Sequence, residues 1–178
     1  MSTAAAPAPV AIDEPALLSL AEAGYRWTEG RAGLVRFRWL LPPDWLGAAT
    51  LPPAGRGGIE RLRGVGDRDG RFTAVLGVLR DCSLAPHQLL ERGAGPGATI
   101  AVFSSRAGAV AERVERRDGR LTVTTAHAFS AGGEPYRFLI SAVGPADDPQ
   151  SRTVLRTLGA ALSLADDLDR FRTIRVSG

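Results

Sequence analysis

"LVRFRWLLPPDWL", residues 34–46, is the stretch on which the reading of this chain turns. Val35, Phe37 and Trp39 alternate with Arg36 and Arg38, so one face is apolar and the other charged. A period of two in aromatic and β-branched residues marks a half-buried strand. Pro42 and Pro43 end it, because neither can donate to a sheet ladder. Asp44, Trp45 and Leu46 then turn the chain, with Trp45 expected to fold back as a plug at the strand's edge.

Upstream, residues 1–12 are rich in Ala and Pro and read as a disordered tail, leaving 13–178 as one domain. "DEPALLSLAEAGY" (13–25) reads as a helix capped by Asp13 and closed by Gly24. Downstream, "IERLRGV" (59–65) is a weak strand and "RFTAVLGVLRD" (71–81) a strong one, apolar on both faces. "SLAPHQLLERG" (83–93) is a short helix begun by Ser83 and ended by Gly93, and "TIAVFSS" (99–105) is a strand. "AVAERVERRDGRLTVTTAHAF" (109–129) is the clearest hairpin, with Asp118-Gly119 as its two-residue turn. "SAGGE" turns again and "PYRFLISAVG" (135–144) returns, making an antiparallel meander. Val154, Leu155, Leu158, Ala161, Leu162 and Ala165 follow helical spacing, which predicts one helix across 147–167. The end, "DRFRTIRV", is an added edge strand or a loosely packed tail. Strands followed by a closing helix give an α+β fold: a mostly antiparallel sheet with helices packed on one face.

Composition narrows the class. The 178 residues are 44% hydrophobic with a net charge of +3, and the 22 basic residues are all Arg. Lys and Asn are absent, the mark of a GC-rich coding sequence. The arginines are scattered rather than clustered with aromatics, so nucleic acid is not the expected partner. Cys82 is the one cysteine and reads as a small packed residue. The start lacks a basic segment followed by a long apolar one, and no run is apolar enough to span a bilayer. A cytoplasmic protein without membrane insertion is the expectation.

No motif carries a reaction. "GAGPGAT" (93–99) follows a helix and precedes a strand, the reverse of a phosphate cradle, and Pro96 removes an N–H. Asp67 and Asp69 in "DRDG" lack the later ligands of a calcium loop and read as a turn. His87 and His127 have no metal-ligand spacing, and His127 sits on a core face. Ser104 and Ser105 have no nearby base, and Asp166, Asp167 and Asp169 read as a solvated charge run. The expectation is therefore a protein that is not an enzyme, with no catalytic, metal or cofactor-binding residue.

The order of elements has a precedent. A strand ending in "LPPDWL", a long loop, "FTAVLGVL", a short helix, a meander, "YRFLISAV" and a helix "TVLRTLGAALSL" together resemble the PsbP-like superfamily. That group includes a photosystem oxygen-evolving subunit, a Ran-binding nuclear-import factor and DcrB-like bacterial proteins. Some of the last resemble chaperones of type VI secretion effectors. Pro43 and Trp45 match its recurring proline-then-Trp strand end, and the likeness spans roughly residues 30 to 165. The leading helix and the proline-rich loop at 51–58 depart from it. The resemblance implies a non-enzymatic adaptor or assembly factor that binds another protein on a sheet face or edge.

The face opposite the presumed helix layer fits such a partner. It is expected to carry Val75, Leu79, Leu139 and Val143 mixed with Thr122, Thr124, Arg36 and Arg38, more apolar than a purely solvated face. A homodimer is the other protein partner to consider. The rival reading is a small anionic-ligand binder, or an enzyme with an unusual site, in which Arg36, Arg38 and Arg137 gather around an anion.

Overall fold

The computed structural model describes residues 19–47, 58–105 and 108–166. In chain order its elements are β1 (Arg26–Ala32), β2 (Val35–Leu41), β3 (Leu46–Gly47), β4 (Glu60–Gly66), β5 (Thr73–Arg80), helix α1 (Pro86–Glu91), β6 (Thr99–Ser105), β7 (Gly108–Arg117), β8 (Arg120–Ala131), β9 (Glu134–Pro145), helix α2 (Ser151–Ala160) and β10 (Leu162–Asp166). The strands form two antiparallel sheets. One has three strands in the order β1-β2-β10, and the other has seven in the order β3-β4-β5-β9-β8-β7-β6. The expected tail at 1–12, the first part of the expected helix at 13–25, most of the loop at 50–58 and the C-terminal "DRFRTIRV" lie outside the described residues.

Local sequence explains the large sheet. Asp118 (φ 49°) and Gly119 (φ 72°) adopt the left-handed pair of a type I′ turn, which matches strand twist and sets Arg117 opposite Arg120. The sheet then holds an unbroken register through Ala131 opposite Glu134 into β9. Side-chain alternation puts Leu76, Val78, Val123, Phe138, Ile140 and Ala142 on one face, where they are buried. The small sheet supplies Val35, Phe37 and Trp39 to the same cluster, and α2 supplies Leu155 and Leu158. The small sheet and α2 thus form one layer over the core face of the large sheet.

The stretch 34–46 is the corner between the two sheets. β2 ends at Leu41, and Asp44 takes φ 66° in a turn where the Trp45 N–H donates to the Pro42 carbonyl at 3.4 Å. The chain then joins the large sheet as β3, which pairs Leu46 with Gly66 of β4. Trp45 is half-buried against the core beside Phe72, with ring centroids 6.1 Å apart. The expected plug is there.

Three expectations need correction. The helix predicted across 147–167 stops at Ala160, and Leu162–Asp166 pair with β2 instead, Leu162 opposite Trp39. Tertiary bonds override the helical spacing: the Leu40 N–H donates to Ala161 O at 3.0 Å and the Trp39 indole N–H to Leu158 O at 2.9 Å. Second, the helices do not share one face. α2 lies on the core face, whereas Leu90 of α1 packs on Ala111 and Ala126 of the opposite face. Third, α1 starts at Pro86 rather than at Ser83, with the Ala85 N–H bonded to Gln88 Oε1 at 3.0 Å. β1, a charged and mixed run, was not anticipated as a strand at all.

Glycine is required where α2 meets β8. A Cβ on Gly159 would collide with Thr125 Oγ1, so the last turn of α2 touches β8 only because residue 159 has no side chain. Gly159→Ala should lower unfolding free energy by about 1–3 kcal/mol through overpacking. Thr125→Ala in that background should restore part of the loss, read as the midpoint of a denaturant titration.

Candidate functional site

The far face of the large sheet, away from the small sheet and α2, carries six of the eight expected partner residues. Register places them in rows: Thr73–Val143–Thr122, then Val75–Ser141–Thr124, then Gly77–Leu139–Ala126. Leu79 follows opposite Arg137. α1 covers part of this face. Leu139 packs in its cluster with Leu90, Ala111, Ala126 and Ile100. Thr124 is buried, while Val75, Val143, Thr122 and Leu79 are half-buried.

Arg36 and Arg38 do not belong to that face. They lie on β2 of the small sheet, and because Val35, Phe37 and Trp39 point into the core, the arginines point out of the other side of the molecule. Arg38 pairs with Glu29 of β1 at 2.7 Å. Arg137 does not join them either. It sits on the far face of β9, where its Nε donates to the Leu84 carbonyl and its Nη1 to the Tyr136 carbonyl at 2.8 Å. The three-arginine anion site is therefore not assembled: alternation along a strand tells inner from outer, but not which sheet the strand joins.

α1 has only six residues, and the sheet fastens both its ends. Arg137 takes the Leu84 carbonyl before it, and Arg113 Nη1 takes the Leu90 carbonyl in its last turn at 2.6 Å. Arg113 also pairs with Glu115, whose Oε1 accepts from the Gly95 N–H at 2.8 Å. The Gly-rich loop is thus a tied connection between α1 and β6.

A buried polar group on the core face was not foreseen. Glu112 of β7 accepts from Arg156 Nε of α2, with distances of 2.9 and 3.1 Å to its two oxygens. Both are largely shielded from water, at 7% and 16% side-chain exposure, so this pair is dearer to break than a surface pair. Thr125 lies opposite Glu112, and His127 lies two residues further along β8. His127 Nε2 is 2.7 Å from Gly159 O. A carbonyl only accepts, so Nε2 carries the hydrogen. No spacing rule could have linked Glu112 to Arg156, since they are 44 residues apart.

Other sequence candidates have structural tasks. Asp67 Oδ1 accepts from the Phe72 N–H at 2.8 Å, closing the "DRDG" turn. Cys82 is half-buried and free. Among the described residues no group of three or more His, Cys, Asp or Glu could hold a metal ion. Asp167 and Asp169 lie outside the described residues. No described helix is long and apolar enough to cross a membrane.

No family model matches the chain, and no curated protein is similar to it. The PsbP-like resemblance therefore rests on element order and the Pro43–Trp45 corner alone. Among solved structures, one described as LpqN involved in cell envelope biogenesis of Mycobacterium tuberculosis superposes with a TM-score of 0.49. It covers 83% of this chain and 95% of its own at 13% identity, a likeness that assigns no function.

Burial lowers His127 to about 4 from its ordinary 6.5, against the opposing pull of the Gly159 bond. Between those values the unfolded chain binds a proton that the folded chain refuses. Stability is therefore full above pH 6.5 and falls as pH drops toward 4, by about 3 kcal/mol in all. His127→Gln should flatten that part of the stability–pH curve, measured by urea unfolding across the range.

Proposed function

We propose that this chain is a non-enzymatic protein-binding module whose partner sits on the far face of the large sheet, beside α1. The observation that carries the reading is the uncharged strip formed by Thr73, Val75, Thr122, Ser141 and Val143, which continues over three adjacent strands. Its residues are half-buried or exposed, and the described residues packed with α1 begin one row away. Such a charge-free strip of Val, Thr and Ser suits the surface of another protein. Small molecules favour concave pockets with convergent polar groups. The reading is further supported by what the polar side chains already do: Glu112, Arg137, Arg113 and His127 are each committed to fastening a helix.

Val143→Asp and Thr122→Arg test it. Each puts a charge on the strip at a cost of about 1 kcal/mol in stability, as usual for half-exposed positions. The native chain used as bait should retain a partner from its source cells that both variants lose, with both still folding cooperatively. Retention by both variants would refute the assignment. A melting shift of several degrees with phosphate or a dicarboxylate would favour the anion-binding reading instead.

A further inference from the structure

The uncharged strip on the far face is bounded at both ends by arginines that the fold does not use as fasteners. At one end Arg117 and Arg120 stand directly opposite each other, in the row beyond Thr122 and Val143. Alternation puts them on the same face as Thr122. Like charges opposite each other on a ladder repel. Arg117 has Asp118 at 3.3 Å, but the two side chains are 90% and 87% exposed, where water weakens the pair. Arg120 has no hydrogen bond or ion pair among the described residues. Glu115, opposite Thr122, is already taken by Arg113 and the Gly95 N–H. At the other end Arg61 of β4 lies opposite Gly77, in the row that holds Leu139. Its Nη1 is shut off from water and has no hydrogen-bond partner. A shielded guanidinium without an acceptor is a costly arrangement, and an arriving carboxylate would offset its charge.

We propose that the partner docks an acidic protein segment on this face, with carboxylates on both sides of an uncharged stretch: one end meets Arg120 and Arg117, the other meets Arg61. The inference rests on the strip being the partner surface and adds the partner's charge pattern. Charge complementarity carries it, since the two cationic ends have no carboxylate of this chain to satisfy them beyond the exposed Asp118. The spacing also fits a peptide. From the row of Leu139 to the row of Pro145, and from β4 across to β8, the arginines stand about 25 Å apart, the reach of roughly seven or eight extended residues. A nucleic acid or an anionic membrane is met by clustered positive charge. Here the charge is split by Thr122, Ser141 and Val143, which asks for a partner with a neutral middle.

Selection from a displayed library of random peptides, followed by titration of the selected peptides, tests this. The native chain should select peptides with Asp or Glu on both sides of an uncharged stretch, and remaking them with Asn and Gln should weaken them. Arg61→Gln should weaken binding about tenfold and Arg120→Gln about threefold, because water screens the shielded guanidinium less. Both losses should shrink at high salt. Val143→Asp should abolish binding. Peptides that need Val143 but show no acidic preference overturn the acidic partner and leave the strip as the binding face. Peptides indifferent to Val143→Asp overturn both readings. A library that yields no binder overturns the proposal, as does binding to phosphatidylglycerol vesicles or heparin, in place of acidic peptides, that the Arg61→Gln, Arg120→Gln double variant loses.

Discussion

The carbonyl end of α2 is where the layers of this protein are joined. A helix leaves its last carbonyls without internal partners. Here each sheet supplies a donor: Trp39 of the small sheet bonds Leu158 O, and His127 of the large sheet bonds Gly159 O. The backbone of Leu40 then takes Ala161 O, the hinge from which β10 starts. An unpaired buried carbonyl costs about 1–3 kcal/mol, so each donor holds its layer in place as well as ending the helix. The close approach of Gly159 to Thr125 follows from the same geometry, because the His127 bond draws the helix end onto β8.

Much of this was legible in local sequence. The Val35–Trp39 alternation, the proline corner, the Asp118-Gly119 turn and the meander are short-range signals, and the structure carries them out. What was not legible depends on partners far away in the chain. Residues 161–166 keep helical spacing, yet the open edge of β2 takes them as a strand. β1 has too many charges to look like a strand, and it forms because Phe37 lies across Gly30 and β2 offers it a full register. Arg36 and Arg38 were correctly read as outward, but the sheet from which they point is fixed by the corner at 42–45. On the candidate face, alternation correctly grouped Val75, Leu139 and Val143, while the cover over Leu139 by α1 was invisible.

The arginine-only composition acquires a structural meaning in this fold. Arg137 and Arg113 reach the carbonyls at the two ends of α1, a helix too short to be stable alone. Arg156 reaches both oxygens of Glu112 from α2. A guanidinium presents several donors in a fixed plane, and a lysine ammonium would not reproduce these bonds. Whatever drove lysine from the sequence, the resulting forks are used as fasteners between helices and sheet.

The pairing of β2 with β10 also sets an order of assembly. β7, β8 and β9 are joined by tight turns and find one another locally, whereas Trp39 of β2 must wait for Leu162. On the ribosome the small sheet and the Trp39 cap cannot close until Leu158 and the β10 residues after it have been made. Until then β2 presents Val35, Phe37 and Trp39 without the helix that covers them. Such long-range closure slows folding and lengthens the time that apolar surface is open to other chains. The nascent chain thus leaves the apolar face of β2 open until a helix 119 residues further along closes over it.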